Sequence, residues 1–316
     1  MRLWMIIAVL LLAGCAAQRL EQQQAEWLGA FGSQAPPGTI ALNDSLYYDR
    51  AEVTNFYWLE YQYSVSRMSG FDSPEYRATM PDTSLWYGGP LPDSAMALNY
   101  LRHPAYRDYP VVGVTYDQAK AYSKWRSDRV MEVYLNRAGI VPYQDKPTAL
   151  VHFTIERFYA TDSLKPYHHL PYPSYDLPTY DEWRAAAALS DSLAHMNIKR
   201  CKKDKTYEFR GATFGICTEL LREGRFVINS REEDERMELE RVAPIECANC
   251  YGVNLMWQIR GNVAELSMDS TVVLGGGWTE RLDSILLDRP FPSMAPQIAT
   301  GFRNVCRWRK WDGARR

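Results

Sequence analysis

Apolar residues recur at helical spacing in three parts of this chain, and each part follows residues that can cap a helix. The second of these segments continues for more than twenty residues before Gly139, a residue type that commonly ends helices. The pattern therefore predicts three helices. The capping residues are Thr54, Thr115 with Gln118, and Thr179 with Glu182, the last two being capping-box pairs.

Short apolar runs bounded by turn residues predict strands, most of them late in the chain. The runs are Val111–Val114, Thr271–Leu274 and Gly301–Trp308. A further alternation of Val151, Phe153 and Ile155 is typical of a half-buried strand. Helices early and strands late indicate an α+β fold rather than a doubly wound sheet.

The N-terminus has the pattern of a lipoprotein signal peptide. Arg2 precedes the apolar run Leu3–Ala13, which is too short to span a bilayer, and Leu12-Ala13-Gly14-Cys15 fits a lipobox. The sequence thus predicts a signal peptide at 1–14, lipidation of Cys15, a polar tether at 15–37 and a folded domain at 38–310. Membrane anchorage through the lipid follows from this prediction.

Composition and charge narrow the location and the partners. No aspartate follows Cys15 to signal inner-membrane retention, since Ala16 and Ala17 stand there, so we expect the periplasmic face of the outer membrane. A net charge of −2 leaves no basic stripe for phosphates, which argues against nucleic acid. A hydrophobic content of 46%, with 21 tyrosines and 10 tryptophans, supports a large core.

Five cysteines remain after Cys15, an odd number. In an oxidising compartment disulfides are the default, and the candidates are Cys201, Cys217, Cys247 and Cys250. Free buried thiols, or a metal or redox role for Cys247-Ala248-Asn249-Cys250, stay open as alternatives.

A series of short motifs in fixed order resembles the formylglycine-generating enzyme family, whose domain is also called the sulfatase-modifying factor domain. The resemblance implies an irregular α+β fold, similar to C-type lectins, with little regular secondary structure. The motifs are Pro37-Gly38-Thr39, Glu52-Val53-Thr54-Asn55, Tyr109–Val114, Leu177–Trp183, Gly261–Glu265, Gly275–Trp278 and Gly301-Phe302-Arg303.

Active members of that family carry two cysteines between the last two motifs, where they bind copper(I) and activate oxygen. Here residues Thr279–Thr300 contain no cysteine. Because copper(I) needs closely spaced thiolates, we expect no copper and assign no catalytic residue. Cys306 lies beyond the interval, without a neighbouring thiol in sequence.

The resemblance also implies a structural calcium site in the turn that ends at Glu265. Matching by position gives the Gln258 side-chain amide, the carbonyl groups of Gly261 and Val263, and the Glu265 carboxylate, a mixed oxygen set that suits calcium. The alternative is that Glu265 pairs with a buried arginine such as Arg303.

Residues 126–176 form an insertion that compact members of the family lack. Long loops of this kind are usually functional, and this one has enough apolar residues to pack on the domain and to bind a partner. Arg126–Val130 and Ile259–Glu265 carry a narrower resemblance, to the gliding-motility and type IX secretion lipoproteins GldJ and GldK.

The sequence therefore favours a non-catalytic outer-membrane lipoprotein that is a structural or assembly component of a membrane-associated complex with protein partners. One alternative is an oxidoreductase of the sulfatase-maturation type with displaced thiols. Another is a carbohydrate- or peptide-binding module of the lectin kind, in which the aromatic stretch Tyr167–Tyr175 binds the ligand.

Overall fold

A computed structural model describes residues 18–313 except 20, 89–92, 144–151, 202–205, 210–211, 216–255, 286 and 294–295, with backbone only for 191–201, 206–209 and 212–215. Residues 18, 19 and 21–30 are helical. The helices that follow are α1 (Asn55–Ser69), α2 (Pro74–Arg77), α3 (Leu85–Gly88), α4 (Ser94–Asn99), α5 (Tyr116–Arg137), α6 (Ile155–Ala160), α7 (Tyr180–Cys201) and α8 (Leu282–Ile285), with 3-10 turns at Pro104–Tyr106 and Asp162–Tyr167.

Three small sheets accompany these helices. The first has the order β1-β2-β10-β3, all antiparallel, and the second has the order β8-β7-β6-β9, in which only β6 and β9 are parallel. A hairpin joins β4 to β5. The strands are β1 (Thr39–Ala41), β2 (Tyr47–Asp49), β3 (Tyr172–Asp176), β4 (Thr206–Phe209), β5 (Ala212–Gly215), β6 (Ala264–Leu266), β7 (Val272–Leu274), β8 (Phe291–Pro292), β9 (Thr300–Gly301) and β10 (Val305–Arg309).

The capping residues predicted from sequence start all three long helices. The Thr115 hydroxyl accepts from the Gln118 amide at 3.2 Å, and the Gln118 side chain accepts from the Thr115 amide at 2.9 Å. Thr179 and Glu182 make the same reciprocal pair before α7. In α1 the apolar spacing of Tyr57, Tyr61 and Val65 predicts the buried face; the structure buries Tyr61 and Val65 together with Trp58, whereas Tyr57 is exposed.

Two of the predicted strands differ from the structure. Val111–Val114 is buried but contributes only a bridge at its start, between Pro110 and Thr54. The alternating run at 151–155 gives no strand in its described part, since Ile155 opens α6 and Thr154 caps that helix. An N-terminal cap satisfies the first amides of a helix, and this local gain outweighs a three-residue alternation.

One hydrophobic core lies between α1, α5 and the second sheet. A second core is separate from it and joins three stretches of chain. They are the N-terminal helical residues, the second half of α5 with the insertion, and the C-terminal tail. The second core consists of Ala30, Phe31, Met131, Tyr134, Leu135, Phe153, Ile155, Phe158, Tyr159, Leu170 and Tyr172, with Trp27, Trp308 and Trp311 packed against it.

The second core changes the domain boundaries expected from sequence. Part of the predicted tether at 15–37 is helix, and Ala30 and Phe31 are buried within the folded unit. The insertion at 126–176 likewise supplies core residues, and its last five residues form β3, which pairs with β10 along its whole length. No described helix is long and apolar enough to span a membrane.

Candidate functional site

The motif residues converge on a fully buried polar cluster, here called the charged centre. It consists of the charged residues Arg303, Glu265 and Glu52 together with the neutral Asn262. Arg303 Nε donates to Glu265 Oε1 at 2.5 Å, and neither side chain is exposed. Its Nη2 donates to the carbonyl oxygens of Trp257 at 2.9 Å and Gln258 at 3.0 Å. Arg303 therefore ties the strand β6 to the turn that precedes it.

A second carboxylate completes the charged centre from the other side. Glu52 Oε2 lies 4.0 Å from Arg303 Nη2, and Glu52 Oε1 accepts from the Asn262 amide at 3.0 Å. Glu52 belongs to one of the sequence motifs, but that motif does not predict its pairing with Arg303. Glu52 has polar neighbours in sequence, Asp49, Arg50 and Thr54, so no local pattern marks it as a buried acid.

Burial favours protonation of one of the two carboxylates in the charged centre. Burial raises the pKa of Glu265 to about 8 and that of Glu52 to about 7, although the Arg303 guanidinium lowers both. The two carboxylates face one guanidinium, so the centre is neutral when one of them is protonated. Groups coupled in this way titrate as a unit rather than one by one.

Close backbone approaches explain two of the motif glycines. A Cβ on Gly275 would lie 2.8 Å from the Ile259 carbonyl oxygen, and one on Gly301 would lie 2.8 Å from that of Val111. The Asn262 residue in the intervening turn has a φ of +60°, and its carbonyl accepts from the Trp278 amide. The glycines thus allow the turn, β9 and the Val111 segment to close around the charged centre.

A cavity of about 300 Å³ lies beside the second sheet, bordered by the interval 279–300. Glu280 is held at its edge, where Oε2 accepts from the Gly277 amide at 2.6 Å and Oε1 from the Thr279 hydroxyl at 2.9 Å. The lining offers neutral hydrogen-bonding groups and apolar surface, with one carboxylate that is already engaged. The described lining residues are Ala264, Val273, Glu280, Phe291, Pro292, Ser293, Gln297 and Thr300.

The structure describes the side chain of one cysteine, Cys306, which is free and fully buried on β10. It packs with Tyr47 and Tyr175, and burial raises the pKa of its thiol well above the usual value. Thiolate is the reactive form, so Cys306 is an unreactive core residue. Cys15, Cys217, Cys247 and Cys250 lie outside the described residues, as does the side chain of Cys201.

Four consecutive residues of α5 attach the insertion and the N-terminal segment to the first sheet. Arg126 binds both Asp49 oxygens, at 2.5 and 2.8 Å, and the Pro37 carbonyl at 3.1 Å. The next three residues hold the insertion backbone. Their contacts are Ser127 Oγ with the Tyr175 amide, Asp128 Oδ1 with the Ile155 amide, and Arg129 Nη2 with the Phe153 carbonyl.

Comparison with known proteins settles the family. The family model described as the sulfatase-modifying factor enzyme 1-like domain matches residues 7–307. The chain belongs to the sulfatase-modifying factor family. Its α+β fold is accordingly the formylglycine-generating-enzyme fold, as the sequence predicted.

Two solved structures are also similar to this chain. One is Treponema denticola variable protein 1, with 16% identity, coverage of 83% of this chain and 84% of that chain, and a TM-score of 0.38. The other is CarF, with 15% identity, coverage of 84% and 87%, and a TM-score of 0.38. No curated protein matches the chain.

The family's calcium set can be tested against the charged centre. Glu265 is in the ion pair that the sequence left as the alternative, and the Gln258 carbonyl is turned to Arg303. In favour of a cation, Oε2 of Glu265 and of Glu52 accept no hydrogen bond within the described part of the chain. Against it, a dication there would lie next to the Arg303 guanidinium, which is already paired with Glu265 and would repel it. The donors therefore fit an ion pair better than calcium, and the set of Gln258, Gly261, Val263 and Glu265 stays a prediction.

The aromatic stretch predicted as a sugar-binding surface is largely internal. Tyr172 and Tyr175 are buried, and Tyr159 donates to the Leu170 carbonyl beneath the stretch. Of the tyrosines in the stretch, Tyr167 is the exposed one, at 37%. Aromatic side chains that bind a sugar must present a ring face to solvent, so this part of the chain serves packing.

Proposed function

We propose that this member of the sulfatase-modifying factor family is an outer-membrane lipoprotein, anchored through Cys15, and a non-catalytic component of a membrane-associated complex. The observation that supports a non-catalytic role is the interval 279–300, which contains no cysteine although family enzymes carry their redox pair there. The remaining described thiol, Cys306, is enclosed on β10.

The position of Cys306 makes a displaced copper site an unfavourable alternative. A copper(I) centre needs two thiolates and access for oxygen and a substrate cysteine. Cys306 is fully buried between two tyrosines, and the high pKa of its thiol disfavours the thiolate. The four cysteines that lie between 201 and 250 are proposed to form disulfides, which would keep them from serving as metal ligands.

Copper binding and aldehyde formation test this reading directly. The purified protein, loaded with copper(I), is incubated with a sulfatase-motif peptide, and formylglycine is measured by mass spectrometry. We expect no product. Product that disappears in Cys306→Ser would support the displaced-thiol oxidoreductase, and product that persists in Cys306→Ser would place the activity at the other cysteines. Either result would refute the non-catalytic proposal.

The finer proposal is a role in gliding motility or type IX secretion, at the periplasmic face of the outer membrane. It rests on the likeness of Arg126–Val130 and Ile259–Glu265 to GldJ and GldK. Both segments stabilise the fold of this chain. Residues of the first bind the backbone of the insertion, and the second contributes to the charged centre. The likeness thus concerns the scaffold that such a complex would use.

We propose that protein partners dock on the exposed apolar residues of the insertion. Most of its apolar residues belong to the second core, but Val133 is 42% exposed and Tyr167 is 37% exposed. The test is affinity purification of the lipidated protein from solubilised outer membrane. Val133→Ser/Tyr167→Ser should lose the partners, and Tyr87→Ser/Leu98→Ser, altered at exposed residues outside the insertion, should retain them. Equal recovery with both pairs would exclude this docking site.

Anchoring is tested with Cys15→Ala. The variant should leave the membrane fraction or accumulate unprocessed, because the lipid provides the attachment. Wild-type migration and membrane association in the variant would refute the lipoprotein assignment.

The cavity supports a second candidate function, which is binding of a small neutral polar ligand. Its volume of about 300 Å³ is at the lower end for small-molecule sites, and Ser293, Gln297 and Thr300 lie around its wall. A Gln297→Trp variant would fill the opening. If the protein is a binding module, calorimetric titration with candidate ligands should give saturable binding that this variant loses.

A further inference from the structure

The N-terminal helical residues are docked on the domain rather than extended away from it. Trp27 packs edge-on against Tyr134 with ring centroids 5.4 Å apart, and the Arg137 guanidinium lies 4.4 Å from the Trp27 ring centroid. Phe31 contacts Tyr134 at 5.4 Å and Trp308 at 5.9 Å. Aromatic and cation–π contacts of this kind hold the helix on the second core.

The contacts also fix the direction of this helix. Phe31 lies beside Tyr134, Trp27 reaches Arg137, and a Cβ on Gly139 would lie 2.5 Å from the side-chain nitrogen of Gln24. Along these three contacts the residue numbers decrease in the N-terminal segment while they increase in α5 and the turn after it. The N-terminal helical residues therefore run antiparallel to α5. Gln24 lies beside the turn that follows α5, and the first helical residue lies about 9 Å beyond it along the helix.

The distance between this helix and the proposed lipid is short. Three residue steps separate Cys15 from Gln18, the first described helical residue. An extended chain spans about 3.5 Å per residue, so the helix begins within about 10 Å of the lipidated cysteine. The acyl chains on Cys15 must lie in the bilayer, which leaves the domain no long tether.

We propose that the turn after α5, residues 138–143, lies against the headgroups of the bilayer that holds the Cys15 lipid. This inference rests on the proposed anchoring. Val141 is tied back to α5 by a bond from the Asn136 amide at 2.8 Å, and Ile140 and Val141 pack on the second core. Tyr143 follows and is 77% exposed.

The chemistry of the turn suits a membrane interface. A tyrosine has an apolar ring and a polar hydroxyl, and such side chains are enriched at headgroup level. Arg137, which lies beside Trp27, and Arg19, exposed at the start of the N-terminal helical segment, provide positive charge that would meet anionic headgroups. The docked helix thus orients the domain relative to the bilayer.

A photo-crosslinking experiment on the full lipidated chain tests the orientation. A benzophenone amino acid replaces Tyr143 in one variant and Leu98, which is 75% exposed on α4, in a matched control. Both are reconstituted in vesicles of phosphatidylethanolamine and phosphatidylglycerol that carry a clickable tag on the lipid. We expect at least fivefold more lipid labelling from position 143 than from position 98.

A spacer variant separates the orientation from the anchoring. Fifteen Gly/Ser residues between Ala17 and Gln18 give a mean reach of about 22 Å, so labelling from position 143 should fall severalfold while the protein still floats with the vesicles. Equal labelling from 143 and 98 in vesicle-bound protein, or labelling at 143 that the spacer leaves unchanged, would overturn this inference alone. Wild-type protein that does not float would overturn the anchoring and this inference with it.

Discussion

The charged centre and the second core hold the same polypeptide together by different means. In the charged centre, Arg303 meets two carboxylates in the absence of solvent, and glycines let the backbone close around them. In the second core, rings from distant segments pack against one another, Tyr134 and Trp308 edge to face and Phe31 tilted against both. Buried charges demand specific partners, whereas aromatic packing tolerates exchange of one apolar side chain for another.

This difference explains what each region contributes. The charged centre is built from family motifs, so it belongs to the fold that this chain shares with its relatives. The second core joins the N-terminal helix to the insertion, the two parts that the proposals connect with the membrane and with partners. Changes in either region should lower stability, and changes in the second core should also affect how the N-terminal helix and the insertion pack on the domain.

The most severe test of the second core is deletion of Val130–Tyr172 with a short linker. The deletion removes the last eight of the 22 residues of α5, eight buried residues of the second core from Met131 to Leu170, and Tyr172, which pairs with Arg309. We expect no cooperative unfolding transition in urea, measured by tryptophan fluorescence. The double variant Val133→Ser/Tyr167→Ser, altered only at exposed positions, should unfold like the wild type. A folded deletion variant would show that the insertion is an appendage that the rest of the domain does not need.

Arg303→Met tests the charged centre. The variant leaves Glu265 and Glu52 buried without a counter-charge, and breaking a buried pair in this way costs about 3–5 kcal/mol. The free energy of unfolding in urea should fall by that amount. The triple variant Arg303→Met/Glu52→Gln/Glu265→Gln removes the charges together and should recover much of the loss. A loss below about 1 kcal/mol in the single variant would mean that the centre is hydrated.

Phe31→Ala tests whether the N-terminal helix belongs to the folded unit. Truncating a buried phenylalanine costs about 3 kcal/mol or more when the site cannot collapse, and Phe31 contacts two rings of the second core. The expected result is lower stability together with faster amide exchange in residues 21–30. Leu28→Ala, at an exposed position of the same segment, is the control and should change stability by less than about 0.5 kcal/mol.

The sequence predicted helix caps and the turn before Glu265 far better than it predicted the second core. Caps at Thr115 and Thr179, and the turn before Glu265, are local patterns whose physical meaning lies within a few residues. The helix at 21–30 has no such signal, because its glutamines give a polar composition and only Trp27, Ala30 and Phe31 pack.

The partners of that helix also lie far away in sequence. Phe31 packs on Trp308, and no periodicity within either segment can show this contact. The same limit applies to the candidate site, where Glu52 and Arg303 are 251 positions apart and only the fold brings them together. Side-chain pairing across such distances is a tertiary property, and a pattern read along one segment does not contain it.

The raised carboxylate pKa values predict a pH dependence of stability. A carboxyl group whose folded pKa lies above its unfolded value stabilises the fold fully below pH 4.5, and this stability is lost as the pH rises. We therefore expect the free energy of unfolding, and with it the melting temperature, to fall between pH 4.5 and about 8. For one proton the free energy changes by at most about 1.4 kcal/mol per pH unit. Glu52→Gln keeps an acceptor for Asn262 and should flatten the profile. A wild-type profile that rises with pH in this window would contradict the shared proton.

Calcium is expected to give the smallest effect, and it distinguishes an ion pair from a metal site at Glu265. A site with a dissociation constant of about 10 μM would stabilise the fold by about 2.7 kcal/mol in 1 mM calcium, which amounts to several degrees in melting temperature. The Arg303 guanidinium already balances Glu265, so we expect no shift beyond one degree between 1 mM calcium and excess EDTA. Glu265→Gln serves as the matched control, because it removes the proposed carboxylate ligand. A shift of several degrees in the wild type that Glu265→Gln abolishes would establish calcium at the Gln258, Gly261, Val263 and Glu265 set, and would require the guanidinium to turn away from the carboxylate.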